Sequence, residues 1–266
     1  MKIIGFIGAG NMGGAMAKAC AKAMEENVWI FDANPNVYKM FKGEASICVA
    51  SSIEELMGKC DYVVMSVKPQ YYPEVGVEVK KNIANHHIVV TVAPSYTLGD
   101  MKNLLGESAK VVRTMPNTPA LVGEGITAYC YNKQEIDGME LQDFISYFES
   151  FGKLVEINEG LMPAVVAATG SSPAYVYMFI EAMADAAVSF GMPRSVAYEM
   201  VAQAVKGSAD MVLKTGEHPG VLKDAVTSPG GTTIKAVLAM EEAGFRNSVI
   251  KGMEACYKQV IDMSKH

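Results

Sequence analysis

Lys2-Ile3-Ile4-Gly5-Phe6-Ile7-Gly8-Ala9-Gly10-Asn11-Met12-Gly13 stands at the start of the chain, and Ala15-Met16-Ala17-Lys18-Ala19-Cys20-Ala21-Lys22 follows shortly after. The β-branched run reads as a strand, the glycines as a tight turn and the alanine-rich stretch as a helix. Strand, G-x-G-x-x-G turn and helix in that order are the fingerprint of a dinucleotide-binding βα unit. Gly8 permits the turn, Gly10 lets the backbone approach a pyrophosphate, and Gly13 lets helix and strand pack closely. Asn11 and Met12 open the helix, where unpaired N–H groups face the anion.

A second strand, Val28 to Phe31, ends at Asp32, about twenty residues past the turn, where such units carry an acid for the ribose. A carboxylate there can accept from both ribose hydroxyls of NADH and would repel the 2′-phosphate of NADPH. No arginine occurs in the segment from Asp32 to Lys39 to offset that. The cofactor is therefore NADPH or NADH, with a lean towards NADH. The alternative role for Asp32, capping a helix that starts near Pro35, would place it a residue or two early.

Working outward, the rhythm of short apolar run, polar turn and helical segment repeats. Candidate strands are Ile3 to Ile7, Val28 to Phe31, Tyr62 to Val67, Ile88 to Val92, Val111 to Met115 and Ile126 to Tyr131, with LVEI after Gly152 the last. This predicts an α/β fold with a Rossmann-like, doubly wound parallel sheet. From about Met162 the chain is rich in Ala and Met without strand signals. The expected division is a dinucleotide-binding domain over 1–160 and an all-α substrate-binding and dimerisation domain over 161–266. In the latter, VVAATGSSPAYVYMFIEAMADAAVSFG is apolar enough to mimic a membrane span. Gly170, Pro173, Glu181 and Asp185 inside it argue instead for burial between helices or subunits. Further helices are expected at Val196 to Lys214, Thr232 to Ala243 and Ser248 to Met263. A helical layer this size buries little alone, so a homodimer is expected.

Half of the 266 residues are hydrophobic and a fifth are charged, with a net charge of −6, which argues against a nucleic-acid partner. Cys20, Cys48, Cys60, Cys130 and Cys256 show no CxxC or ligand-like spacing. They read as reduced thiols in a cytoplasmic protein, with no zinc site. The N-terminus reads as a strand and not as an export signal.

Ser66-Val67-Lys68-Pro69-Gln70, Ala93-Pro94-Ser95 and Arg113-Thr114-Met115-Pro116-Asn117-Thr118-Pro119-Ala120 follow three strands and should rim one crevice, as ligands of open α/β sheets bind beyond the strand ends. Four blocks, GAGNMG (8–13), SVKPQ (66–70), RTMPNTPALVGEG (113–125) and GEHPGVLKDAVTSPGGTTIKAVLAMEEAGF (216–245), make the whole chain resemble pyrroline-5-carboxylate reductases. The resemblance implies an oxidoreductase that transfers hydride from NAD(P)H to 1-pyrroline-5-carboxylate, giving L-proline, the last step of proline biosynthesis. It also implies a Rossmann-like domain, a helical dimerisation domain, active sites completed by the partner subunit, and dimers that often assemble further.

By the same resemblance the substrate loop maps onto Ser228, Gly230, Gly231, Thr232 and Thr233, and Thr233 bonds the ring nitrogen as the leading catalytic candidate. Val67, Lys68, Pro69, Ala93 and Asn117 are expected about the cofactor. The residues agree on chemistry: two glycines before IKAVLAM put N–H donors at a helix start, fit for a carboxylate. Ser228 or Thr232 as a plain N-cap is the alternative. One departure is Ala93-Pro94-Ser95, where the family often has a small residue and a glycine.

A protonated cyclic imine is already a good hydride acceptor, so positioning outweighs acid–base machinery. His86 and His87 precede a strand, His266 is terminal, and His218 is expected on the surface ahead of a helix near Pro219. A β-hydroxyacid dehydrogenase would need a lysine on the first long helix of the second domain, yet none occurs between Lys153 and Lys206. A dinucleotide-binding redox sensor would have no need of the second anion site.

Overall fold

The computed structural model describes residues 2–24 and 28–263. Eight strands form one sheet: β1 (Ile4–Ile7), β2 (Val28–Phe31), β3 (Ile47–Val49), β4 (Tyr62–Met65), β5 (Ile88–Thr91), β6 (Lys110–Met115), β7 (Gly125–Tyr131) and β8 (Gly152–Glu156). Their order is β3-β2-β1-β4-β5-β6-β7-β8. The chain winds outward from β1 to β3, then returns to the other side of β1 with β4. That reversal leaves a crevice at the C-terminal ends of β1 and β4, the switch point at which such sheets bind ligands.

All neighbouring strands run parallel except β6 and β7. The sheet is parallel-dominated, as expected of a Rossmann-like fold, with this one antiparallel pair. Only Pro116 to Glu124, including a 3₁₀ turn over Thr118–Val122, connects the two strands. A parallel crossover needs about a dozen residues or more, so the chain folds straight back. β3 was absent from the expected strands. It is a three-residue edge strand, too short to show alternation.

Both faces of the sheet are covered, which is why its strands read as continuous apolar runs. On one face Ile4, Phe6, Val28, Ile30, Val64 and Val90 join residues of α1 (Asn11–Met24) and the aromatics Phe144 and Phe148 of α5 (Gly138–Glu149). On the other, Ile7, Val63, Met65, Val89 and Val111 meet α2 (Ile53–Met57), α3 (Tyr72–Asn82) and α4 (Leu98–Leu105).

Arg113 of β6 is 5% exposed. Its guanidinium donates to the Pro94 carbonyl (2.8 Å) and pairs with Glu159 (2.8 Å), whose carboxylate also accepts from Leu98 N–H. One side chain thus ties the loop after β5 to the segment after β8. Removing one member of a buried pair is costly, less so here because the Glu159 side chain is a third exposed. Arg113→Met is expected to lower unfolding stability by ~2 kcal/mol. An unshifted denaturant midpoint would show that the pair contributes nothing net.

The chain divides into two compact units, one reaching Ser171 and resuming at Cys256, the other Ser172–Ala255. The division lies beyond the change of composition near residue 160. The reason is packing: α6 (Met162–Val165) and a π-helical turn over Val166–Gly170 bury Met162, Val166 and Ala167 within the first unit.

The second unit holds α7 (Ser172–Ser189), α8 (Arg194–Thr215), α9 (Pro219–Ala225), α10 (Thr232–Glu242) and the start of α11 (Phe245–Met263). The helices match expectation closely, and they bury little within one chain, as expected of a layer that pairs with a second copy. Only Ala184 of α7 is buried, while Phe190, Leu213 and Met178 are 86%, 74% and 68% exposed. Exposed apolar surface of this extent marks a face for a further protein surface. No described helix is long and apolar enough to cross a membrane.

Candidate active site

The glycine turn is held from three strands. Gly8, at φ +96°, lies in the left-handed region, and its N–H donates to the Phe31 carbonyl (2.7 Å). A β-carbon there would meet Val67 N at 2.7 Å, so the SVKPQ backbone passes directly against the turn. At Gly13 a β-carbon would lie 2.0 Å from the Gly8 carbonyl oxygen and 2.4 Å from Ser66 Oγ. Ser66 Oγ itself donates to that carbonyl (2.6 Å). A β-carbon at Gly10 would meet nothing within 4 Å, which leaves the face of that residue open to a ligand. Asn11 and Met12 then begin α1, whose first-turn N–H groups point to the same end.

Asp32 braces this turn. One carboxylate oxygen accepts from Ala9 N–H and the other from Asn34 N–H, both at 2.8 Å. It is no helix cap, because Asn34 caps the 3₁₀ turn over Pro35–Phe41 through Asn36 N–H. Each oxygen retains a lone pair for a ribose hydroxyl. A cleft lined by Phe31, Asp32, Tyr38, Ser51 and Glu55 opens beside it.

Lys68 is exposed and leads into the 3₁₀ turn Pro69–Tyr71, with extended backbone as a residue before proline requires. Ala93, 3% exposed, donates its N–H to Thr91 Oγ1 (3.3 Å). Asn117 behaves differently from its neighbours. Its amide donates to the Thr169 carbonyl (3.1 Å) and accepts from Ile126 N–H (2.9 Å), so the side chain anchors β7 and the π turn.

In the second unit, Gly231 is the N-cap of α10 and no side chain caps the helix. Neither Ser228 nor Thr232 is that cap. Gly230 has φ +72°, and Gly231 N–H donates to the Ser228 carbonyl (3.0 Å), closing the turn. Gly231's amide is thereby used internally. The donors left for an anion are the first-turn N–H groups that begin at Thr232 and Thr233. A β-carbon at Gly231 would sit 2.5 Å from Ser228 Oγ, so a larger residue there would turn that hydroxyl away.

His218 caps α9, its Nδ1 accepting from Gly220 N–H (3.1 Å). His87 is buried between Ala84 N–H and the Met57 carbonyl, burial holding it below its ordinary range, and His266 lies outside the described residues. Burial pushes the thiols of Cys20, Cys60 and Cys130 up to about 12, which leaves them unreactive. The sequence assigned no role to Tyr38 or Glu55 and placed Ser66 only on the crevice rim, whereas its hydroxyl donates to the Gly8 carbonyl across fifty-eight residues of chain. The one local signal was Ser52, which caps α2 by accepting from Glu55 N–H (3.1 Å).

A switch-point crevice with an open glycine turn, and a helical unit with an uncapped helix start, are the parts of a two-part nucleotide-dependent oxidoreductase. Residues 159–263 match the family described as pyrroline-5-carboxylate reductase dimerisation, and 3–95 match NADP oxidoreductase, coenzyme F420-dependent. The chain is 43% identical to the pyrroline-5-carboxylate reductase of Escherichia coli K12 over 99% of each chain, and 36% identical to that of Arabidopsis thaliana over 98% of this chain and 95% of the other. The Plasmodium falciparum pyrroline carboxylate reductase solved with NADP bound superposes with a TM-score of 0.89 at 33% identity, covering 99% of this chain and 98% of that one. The Coxiella burnetii reductase gives 0.90 at 28%, covering 100% and 99%. The chain belongs to the pyrroline-5-carboxylate reductase family. Mycobacterium tuberculosis 3-hydroxyisobutyrate dehydrogenase, at 16% identity and TM-score 0.55, shares the fold alone.

Proposed function

We propose that this chain reduces 1-pyrroline-5-carboxylate to L-proline with NADH or NADPH, as a cytoplasmic homodimer. The observation that carries the reading is the turn before α10, where a left-handed Gly230 and an uncapped helix start leave N–H donors beside the Thr233 hydroxyl. The residues of the first unit fit a nicotinamide dinucleotide: Gly10 leaves its face clear, and a side chain at Gly8 or Gly13 would close the turn. When bound, that cofactor supplies the hydride.

The chain's own task is to bind and orient. Gly8, Gly10 and Gly13 with the first turn of α1 hold the pyrophosphate, and Asp32 takes the ribose. Val67, Lys68, Pro69 and Ala93 line the nicotinamide half, while Asn117 acts there by fixing backbone. Ser228, Gly230 and the N–H groups of Thr232 and Thr233 grip the substrate carboxylate, and the Thr233 hydroxyl bonds the ring nitrogen. This keeps the imine in place, and no strong base is required.

The apolar surface of the second unit and its match to a dimerisation domain support pairing of two chains, with active sites completed by the partner subunit. All five cysteines are free, which supports a reducing compartment. Pure protein given the cyclic imine is expected to oxidise either nicotinamide cofactor and to form proline. Cofactor binding without any turnover would replace this reading by a redox sensor.

A further inference from the structure

We propose that Glu55 sets the cofactor preference, occupying as a built-in anion the Ser51 donors that a 2′-phosphate would need, so that the cleft selects NADH over NADPH. The inference rests on the reading that this cleft takes the adenosine half of the dinucleotide.

Ser51 follows β3 at the C-terminal edge of the sheet, opposite Asp32 at the end of β2. A phosphate arriving on the ribose would look for N–H and O–H donors and for a cation. The hydroxyl donors that line the cleft, Ser51 and Tyr38, are already engaged. Ser51 N–H (2.7 Å) and Ser51 Oγ–H (2.5 Å) both end on one carboxylate oxygen of Glu55. The Tyr38 hydroxyl donates to the Asp32 carbonyl (2.7 Å) and accepts from Asp32 N–H (2.9 Å).

The charged side chains lining the cleft are Asp32 and Glu55, both acids, and neither lysine nor arginine joins them. Nearby Lys39 is bonded to Asn36 (2.9 Å), and Lys59 sits over the Trp29 ring. The Ser51 bonds hold the Glu55 carboxyl below the usual carboxylate range, so it is ionised at neutral pH. Glu55 therefore acts twice against a 2′-phosphate, by repulsion and by keeping Ser51 from donating. A ribose bearing a free 2′-hydroxyl meets neither obstacle, since it can donate to Asp32.

The test is a fluorescence titration of NADH and NADPH on the intact protein, without substrate. Glu55→Gln removes the charge, and Glu55→Ala also frees Ser51. Glu54→Gln makes the same change in net charge one residue away, outside the cleft. The ratio of the NADPH to the NADH dissociation constant should fall about tenfold in Glu55→Gln and further in Glu55→Ala, and hold steady in Glu54→Gln. Equal ratios in all three variants and the unaltered chain would overturn the proposal. If the unaltered chain bound neither cofactor, the reading of the cleft would fall, and the proposal with it.

Discussion

Thr233→Ala is expected to lower turnover of pyrroline-5-carboxylate by about a hundredfold while the cofactor dissociation constant stays unchanged. A positioned donor or acceptor at the reacting group contributes about 10²–10⁴ to rate. Thr233 is the second residue of α10, in a first turn that no side chain caps. Its hydroxyl is therefore not needed to finish the helix, and alanine is a good helix former, so the fold has little to lose. The separation of readouts matters. A structural defect would lower both turnover and the thermal midpoint, whereas loss of a bond to the substrate nitrogen lowers turnover alone. Thr233→Ser should restore most of the activity. Undiminished turnover in the alanine variant would remove Thr233 from the mechanism.

The two glycines of the cofactor turn should fail in opposite ways. A methyl at Gly13 would meet the Gly8 carbonyl at 2.0 Å and Ser66 Oγ at 2.4 Å, so strand and helix must separate. Overpacking of this kind costs about 3 kcal/mol, visible as a lower melting temperature even without cofactor. A methyl at Gly10 meets nothing of the chain within 4 Å, and Gly10→Ala should melt normally. It should nonetheless weaken the dinucleotide at least about tenfold, because the methyl stands where the pyrophosphate approaches. Both measurements are needed. If Gly10→Ala bound cofactor normally, the pyrophosphate would not lie on that turn.

What was legible in the sequence was what is local. β1, its glycine turn and α1 are contiguous, so spacing alone placed them, and the helices from Arg194 onward announced themselves by propensity and length. Features that arise between distant segments were hidden. β3 has three residues and exists because β2 lies beside it. The reversal at β7 depends on how short its connection is. The sequence placed Asn117 at the cleft without showing that its amide bonds Ile126 and Thr169, and Gly231 looked like a donor until the Ser228 carbonyl claimed its N–H. Asp32 was read for its charge, and the structure adds its bonds to Ala9 and Asn34. Such pairings set the detail of a site, and no window of sequence contains both partners.

The bracing of the glycine turn bears on how quickly and with what heat the cofactor arrives. Ala9 is tied to Asp32, Gly8 to Phe31 and the Gly8 carbonyl to Ser66 by bonds within the chain itself. A receptor whose turn is held by its own hydrogen bonds loses little conformational freedom on association. Encounter should then be limited by diffusion and orientation instead of loop rearrangement, with a single kinetic phase.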